Sequence, residues 1–376
     1  MKISESGNYY PYLKSGRIYM NHATISPLSS LVVDELHNYL YVRSETEIEN
    51  YFSFLKIVNS AKNRLASLIN TTPDRLAFVD NTSNGLNVLA QAVDWKSGDR
   101  LILNDIEFPS NIYPFLNLKQ YGVEADFVKS GNGIIKFEDI EKAVTPKTRL
   151  ISISHVQFLS GYRSDIARIG ELCRSKGIIF CVDSIQALGA MREDVERMKI
   201  DFLASGTQKW LMSMQGLAFI FVAKELQEKL NPKFVGWTSV EDAWNLLDYK
   251  LALREDATRF QNGTVNAIGI AALNVTLGFM ESMGHDNIEK TILDNSEYFI
   301  NKLSESGITP ILKGGEREIL SGIVSFHSDK AEEIYEKLKQ RNIIGAVRGD
   351  VVRFSPHFYN TKEEIDSVVS ALKEIL

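Results

Sequence analysis

Two apolar runs ending in polar residues carry the strongest structural signal in the chain: Ile178-Ile179-Phe180-Cys181-Val182-Asp183-Ser184-Ile185-Gln186 and Asp201-Phe202-Leu203-Ala204-Ser205-Gly206-Thr207-Gln208-Lys209-Trp210. A short, continuous apolar run is what a strand buried on both faces of a parallel sheet needs. The polar residues follow at the carboxyl end, where open α/β sheets bind their ligands. Further runs of this kind flank the pair: Leu76–Val79, Arg100–Leu103, Leu150–Ser154 and Leu217–Val222. Segments of helical period lie between them. In Ile166–Lys176, Ile166, Ile169, Leu172 and Cys173 share one face and Gly177 supplies the stop. The alternation predicts βα units on a largely parallel sheet.

Beyond about residue 250 the pattern changes. Long helices are expected near Val265–Met283 and Ile288–Ser306. Strands Gly322–Phe326 and Val351–Phe354 follow, with helices at Ala331–Gln340 and Lys362–Ile375. That is a compact α+β unit. The expected division is a large domain over 18–255 and a small one over 1–17 and 256–376, packed without a flexible linker.

Composition narrows the partners. In 376 residues, 44% are hydrophobic and 24% charged, the balance of an ordinary globular chain. Lys and Arg number 42 against 48 Asp and Glu, a net charge of −6 with no basic stripe, so nucleic acid is not expected. The start lacks the apolar core of a signal peptide, and the uncharged stretch Gly263–Met280 reads as a buried helix, not a membrane span. A cytoplasmic location without membrane contact is expected. The only cysteines, Cys173 and Cys181, have neither disulfide-scaffold nor zinc spacing and read as core.

Several polar residues are candidates for chemistry. Thr82 and Ser83 open a helix after a strand, where hydroxyls and unpaired N–H groups cradle anions; either could equally be a plain N-cap. Asp183 ends a buried strand and needs a cap, an ion pair or a protonated heterocyclic nitrogen as partner. Lys209, flanked by small hydroxyl residues and Trp210, fits a desolvated amine of lowered pKa, able to form a Schiff base with a carbonyl.

Taken together, Val182-Asp183-Ser184-Ile185-Gln186-Ala187-Leu188-Gly189 and Ser205–Lys209, with flanking motifs from Tyr19–Thr24 to Tyr359–Asp366, resemble the fold-type I pyridoxal-phosphate enzymes of the class V aminotransferase group. This group includes cysteine desulfurases, selenocysteine lyases and isopenicillin N epimerase-like proteins. The resemblance implies a large pyridoxal-phosphate domain with a mostly parallel mixed sheet flanked by helices, plus a smaller α+β domain. It gives Lys209 the part of the aldimine lysine, Asp183 that of the pyridinium partner, and Gln186 a contact to the ring hydroxyl. Thr82, Ser83 and Ser205 fall in phosphate-binding positions, and Gln208 stands where many relatives have a phosphate-binding His. Phe108 takes the ring-stacking position. Thr264, in Arg259-Phe260-Gln261-Asn262-Gly263-Thr264, matches a Thr that reaches the neighbouring subunit's cofactor, implying a homodimer with shared active sites. Arg353 matches the arginine that grips the substrate α-carboxylate.

Departures narrow the reaction. Desulfurases of the group carry a stacked His where this chain has Phe108, and a nucleophilic Cys in a C-terminal loop; here almost no loop separates Val347-Arg348-Gly349 from Val352-Arg353, and no Cys follows Cys181. Gln157 or Phe158 replaces their Asn. His155 and His22 each admit two readings, pocket residue or satisfied core histidine. The expected function is therefore action at the Cα of an amino acid, as an aminotransferase or epimerase-like enzyme. Cysteine desulfurase or selenocysteine lyase is the alternative within the cofactor class, and a catalytically silent binding protein is the alternative outside it. A nicotinamide dehydrogenase is disfavoured, since no Gly-x-Gly-x-x-Gly follows a strand.

Overall fold

A computed structural model describes residues 1–376. In chain order the strands are β1 (Ile18–Tyr19), β2 (Leu76–Val79), β3 (Arg100–Asn104), β4 (Glu124–Val128), β5 (Thr148–Ser154), β6 (Ile179–Asp183), β7 (Phe202–Gly206), β8 (Ala218–Val222), β9 (Val324–His327), β10 (Ile343–Ile344), β11 (Ala346–Arg348) and β12 (Val351–Phe354). Seven of them form one mixed sheet in the order β2-β8-β7-β6-β5-β3-β4. Its central pairs, β3–β5, β5–β6 and β6–β7, are parallel, and β8 runs antiparallel to both β7 and β2.

The reason is written in the strands themselves. Phe180, Cys181, Val182, Phe202, Leu203 and Ala204 are all buried, as strands covered by helices on both faces must be. Helix Ile166–Lys176 has the predicted span and ends on Gly177 in the left-handed region, φ 65°. In register, Ser154 lies opposite Asp183 and Asp183 opposite Ala204, so the carboxyl ends of β5, β6 and β7 share one edge. The chain reverses its direction of travel between β3 and β5, the kind of switch point where open sheets leave a crevice.

A second sheet, β11-β12-β9, is antiparallel and closes over that edge. Only Gly349 and Asp350 join β11 to β12. The first strand, β1, pairs in parallel with β10, tying the start of the chain to its C-terminal part. The uncharged stretch becomes helix Ala267–Met283, packed against helices Ser30–Tyr41 and Tyr51–Ile69. No single helix is long and apolar enough to cross a membrane.

Candidate active site

Asp183 and Lys209 are set by the ends of adjacent strands. Asp183 is 1% exposed; its Oδ1 accepts from the Ile185 N–H at 3.0 Å, while its Oδ2, equally buried, has no partner. Burial pushes this carboxyl upward, the Ile185 bond and the Lys209 charge hold it down, and Glu107 and Glu193 push it up again. Lys209 follows β7 on a loop whose backbone is pinned. Its carbonyl accepts from Ser26 Oγ at 2.6 Å and from Met212 N at 2.9 Å, and Trp210 beside it is fully buried, donating from Nε1 to Gln186 Oε1 at 2.9 Å. Gly189 makes that anchoring possible: its φ is 100°, and a Cβ there would stand 2.3 Å from the Trp210 carbonyl oxygen. Burial drives the Lys209 amine toward its neutral form; Asp183 opposes this, and Arg353 and Arg348 reinforce it.

A cradle lies beside the amine. Thr82 is the first residue of helix Thr82–Ala92, but the N-cap is Asn81, whose side chain accepts from Asn84 N at 2.9 Å. The plain capping alternative for Thr82 and Ser83 is thereby removed. Thr82 Oγ1 is buried without a partner, and Ser83 Oγ donates to Ser110 Oγ at 2.7 Å. Gly206 leaves space next to it, since a Cβ on this residue would meet Gln208 Oε1 at 2.7 Å and Thr82 Oγ1 at 3.3 Å. Ser205 is less available: it is fully buried and its hydroxyl donates to the Gly206 carbonyl at 3.1 Å.

Above this floor, Arg353 is 1% exposed and donates to the Phe158 carbonyl at 2.6 Å and to Thr24 Oγ1 at 2.8 Å; its Nε is buried and unpaired. Arg348 donates to the same Thr24 oxygen at 3.0 Å. Burial and this like-charged neighbour lower the Arg353 pKa to about 9, which leaves it charged at neutral pH. Phe108 is exposed, edge-on to Phe158 at 5.3 Å, and the Lys209 ammonium lies 5.6 Å from its ring centre.

Other candidates are placed elsewhere. His22 has 0% exposure, its Nδ1–H donates to the Ser355 carbonyl at 2.8 Å, and its Nε2 accepts from Tyr359 OH at 2.6 Å. Of its two readings the core histidine is the one observed, and burial lowers its pKa to about 3. His155 is buried and bonded through Nδ1 to Glu193, which also accepts from Ser184 Oγ. Gln186 has its carbonyl oxygen on Trp210 and donates from Nε2 to the Ala23 carbonyl at 2.9 Å, so one amide hydrogen is left over. Gln157 is fully buried and donates to Glu107 at 2.9 Å. Thr264 is exposed, on a groove it shares with Asp80, Asn84 and Gln261. Cys173 and Cys181 are both fully buried, and burial pushes their thiols far up.

Sequence reasoning missed Glu107, Thr24 and Arg348. Glu107 follows β3 and accepts from Asn104, the Ser154 N–H and Gln157, so it forms part of the buried frame behind Asp183. Arg348 had one legible signal, its place at the start of the shortened C-terminal turn.

A sequence model of the family described as Aminotransferase class-V matches residues 18–368. The chain belongs to the class-V aminotransferase family. It is 29% identical to an uncharacterised aminotransferase, YcbU, of Bacillus subtilis over 93% of this chain and 91% of that protein. It is 27% identical to a probable cysteine desulfurase of Methanothermobacter thermautotrophicus over 100% of this chain and 98% of that one. Its backbone is similar to the apo structure of a cysteine desulfurase from Thermococcus onnurineus, with a TM-score of 0.90 at 22% identity, covering 100% of this chain and 98% of that one.

Class-V aminotransferases use pyridoxal phosphate. The residues present fit that group. A buried, unpartnered carboxylate oxygen on Asp183 suits a protonated ring nitrogen, an orphaned hydroxyl on Thr82 beside bare Gly206 suits phosphate, and a desolvated amine on Lys209 suits an aldehyde.

Proposed function

We propose that this chain is a pyridoxal-phosphate enzyme that moves the Cα proton of an amino acid, as an aminotransferase or epimerase-like member of its family. One observation carries the reading: a buried Lys209 and a buried Asp183 with a free oxygen at the ends of neighbouring strands, below a buried Arg353 that has donors to spare. When bound, the cofactor supplies an electron sink for a bond breaking at Cα.

The chain's own residues supply the rest. Asp183 Oδ2 would hold a proton at the ring nitrogen, Thr82 and the backbone around Gly206 would take the phosphate, and Lys209 Nζ would hold the cofactor and move the Cα proton. Arg353 binds the α-carboxylate with its planar fork and so fixes which bond at Cα stands ready to break. Phe108 would stack on the ring but has no proton to move. Thr264, exposed on the surface, reaches the partner's site in a homodimer.

The names of many relatives favour cysteine desulfuration, as with the two desulfurases above. The chemistry of this chain argues against it. Cys173 and Cys181 are inaccessible, and the two-residue turn between β11 and β12 has no room for a thiol-bearing loop. The test is direct: the purified protein is expected to be yellow, borohydride to fix the cofactor to Lys209, and cysteine to yield negligible sulfide. A protein that takes up no pyridoxal phosphate overturns the reading, and efficient sulfide release restores the desulfurase. Product analysis with and without a keto-acid acceptor separates transamination from epimerisation.

A further inference from the structure

Two guanidinium groups meet at one neutral oxygen. Arg353 NH2 and Arg348 NH2 donate to Thr24 Oγ1 at 2.8 Å and 3.0 Å, and their remaining side-chain bonds go to the carbonyls of Phe158 and Val347. Neither takes part in an ion pair. The charge acting most on Arg353 is that of Arg348, of the same sign, and both also act on the Lys209 amine. Arg353 is 1% exposed with Nε unpaired, and Arg348 is half-buried.

Such a pair is costly without anions, because a buried charge needs a charged or strongly polar partner. The acidic side chains of the site do not supply one. Asp183 ends β6, and Glu107 and Glu193, on the connections after β3 and β6, are occupied by Asn104, Ser154, Gln157, Ser184 and His155. One α-carboxylate is fully held by one guanidinium fork. The second arginine then remains uncompensated.

We propose that Arg348 is a substrate-specificity residue, and that the substrate is an acidic amino acid whose α-carboxylate sits on Arg353 and whose side-chain carboxylate sits on Arg348. This rests on the reading of Arg353 given above, and it names the substrate class that reading left open.

The experiment titrates the holoprotein by calorimetry with succinate or glutarate, and with butyrate as the monocarboxylate control. The dicarboxylates are expected to bind at least about tenfold tighter, and Arg348→Gln to bring them down to the level of butyrate. Arg348→Lys, which keeps the charge, is expected to retain part of the preference and serves if the Gln variant does not fold. Equal binding of di- and monocarboxylate by the native protein means that both arginines share one carboxylate, and overturns the proposal. Failure here is distinct from failure of the functional reading. A yellow protein that does not discriminate breaks only the present inference, whereas a protein that takes up no pyridoxal phosphate breaks the cofactor reading, and discrimination in the same titration of that cofactor-free chain leaves the two-arginine anion site standing.

Discussion

The floor of the site and the arginine corner above it solve opposite electrostatic problems. On the floor, Asp183, Glu107 and Glu193 are buried together, and a frame of N–H and O–H donors plus the Lys209 amine offsets them. In the corner, Arg353 and Arg348 are brought together with one hydroxyl, two carbonyls and no acid. The floor is close to complete as protein and lacks chiefly a cation for Asp183 Oδ2. The corner is incomplete until an anion arrives. A region that is electrostatically finished holds a resident group, whereas one left with excess charge selects a visitor.

The sharpest way to break this comparison is Asp183→Asn. The amide keeps the shape and can still accept from Ile185, but loses the charge, so turnover is expected to fall about 10²- to 10⁴-fold. Unchanged turnover in steady-state assays removes the floor from the chemistry. Next, Arg353→Gln is expected to leave the absorption spectrum of the bound cofactor intact while weakening amino-acid binding about 10²-fold, the scale of a lost charge-assisted bidentate contact. Loss of cofactor in this variant would show that floor and corner are one unit.

Behind the corner stands His22, whose Nδ1–H reaches the Ser355 carbonyl two residues past Arg353. Its pKa is lowered from 6.5 to about 3 in the folded protein, so below pH 6.5 the unfolded chain takes a proton that the folded one refuses. Stability therefore falls as pH drops from 6.5 toward 3, by roughly 2 kcal/mol at pH 5 from this residue. Urea unfolding at pH 7.5 and pH 5 is expected to show a smaller difference for His22→Gln than for the native chain; an identical difference rules out His22 as the source. The smallest effect expected is that of Gly206→Ala. Its φ is not in the left-handed region, and its nearest neighbours are the side chains of Gln208, Ile185 and Thr82. Cofactor affinity by equilibrium dialysis should drop about tenfold, roughly 1.4 kcal/mol, with little change in Tm. Unchanged affinity moves the phosphate away from this cradle.

The central strands were legible because burial on both faces leaves mostly apolar residues in them. Strand β4, Glu124–Val128, escaped for the converse reason: it is an edge strand with β3 as its one neighbour, and the charged Glu124 and Asp126 break the apolar run. Asp183 and Lys209 could be found because one ends its strand and the other stands just beyond the end of the next. The corner above them was legible only in part. Arg353 and Phe158 stand out through the family resemblance, but Thr24 and Arg348 join them only where the antiparallel sheet folds over the crevice.

The succession of strands along the chain, the position of Asp183 and Lys209 at their ends, and the missing C-terminal cysteine are properties of local residue order, because residues at the carboxyl ends of parallel strands emerge together at one edge of the sheet. Tertiary packing decided which partners the histidines and the hydroxyls have. Whether His22 is a ligand or a core residue, whether Thr82 caps a helix or stands free, and whether Arg348 has an acid beside it depend on which donor or acceptor long-range contact delivers to each buried polar atom, and that information is not carried by neighbours in sequence.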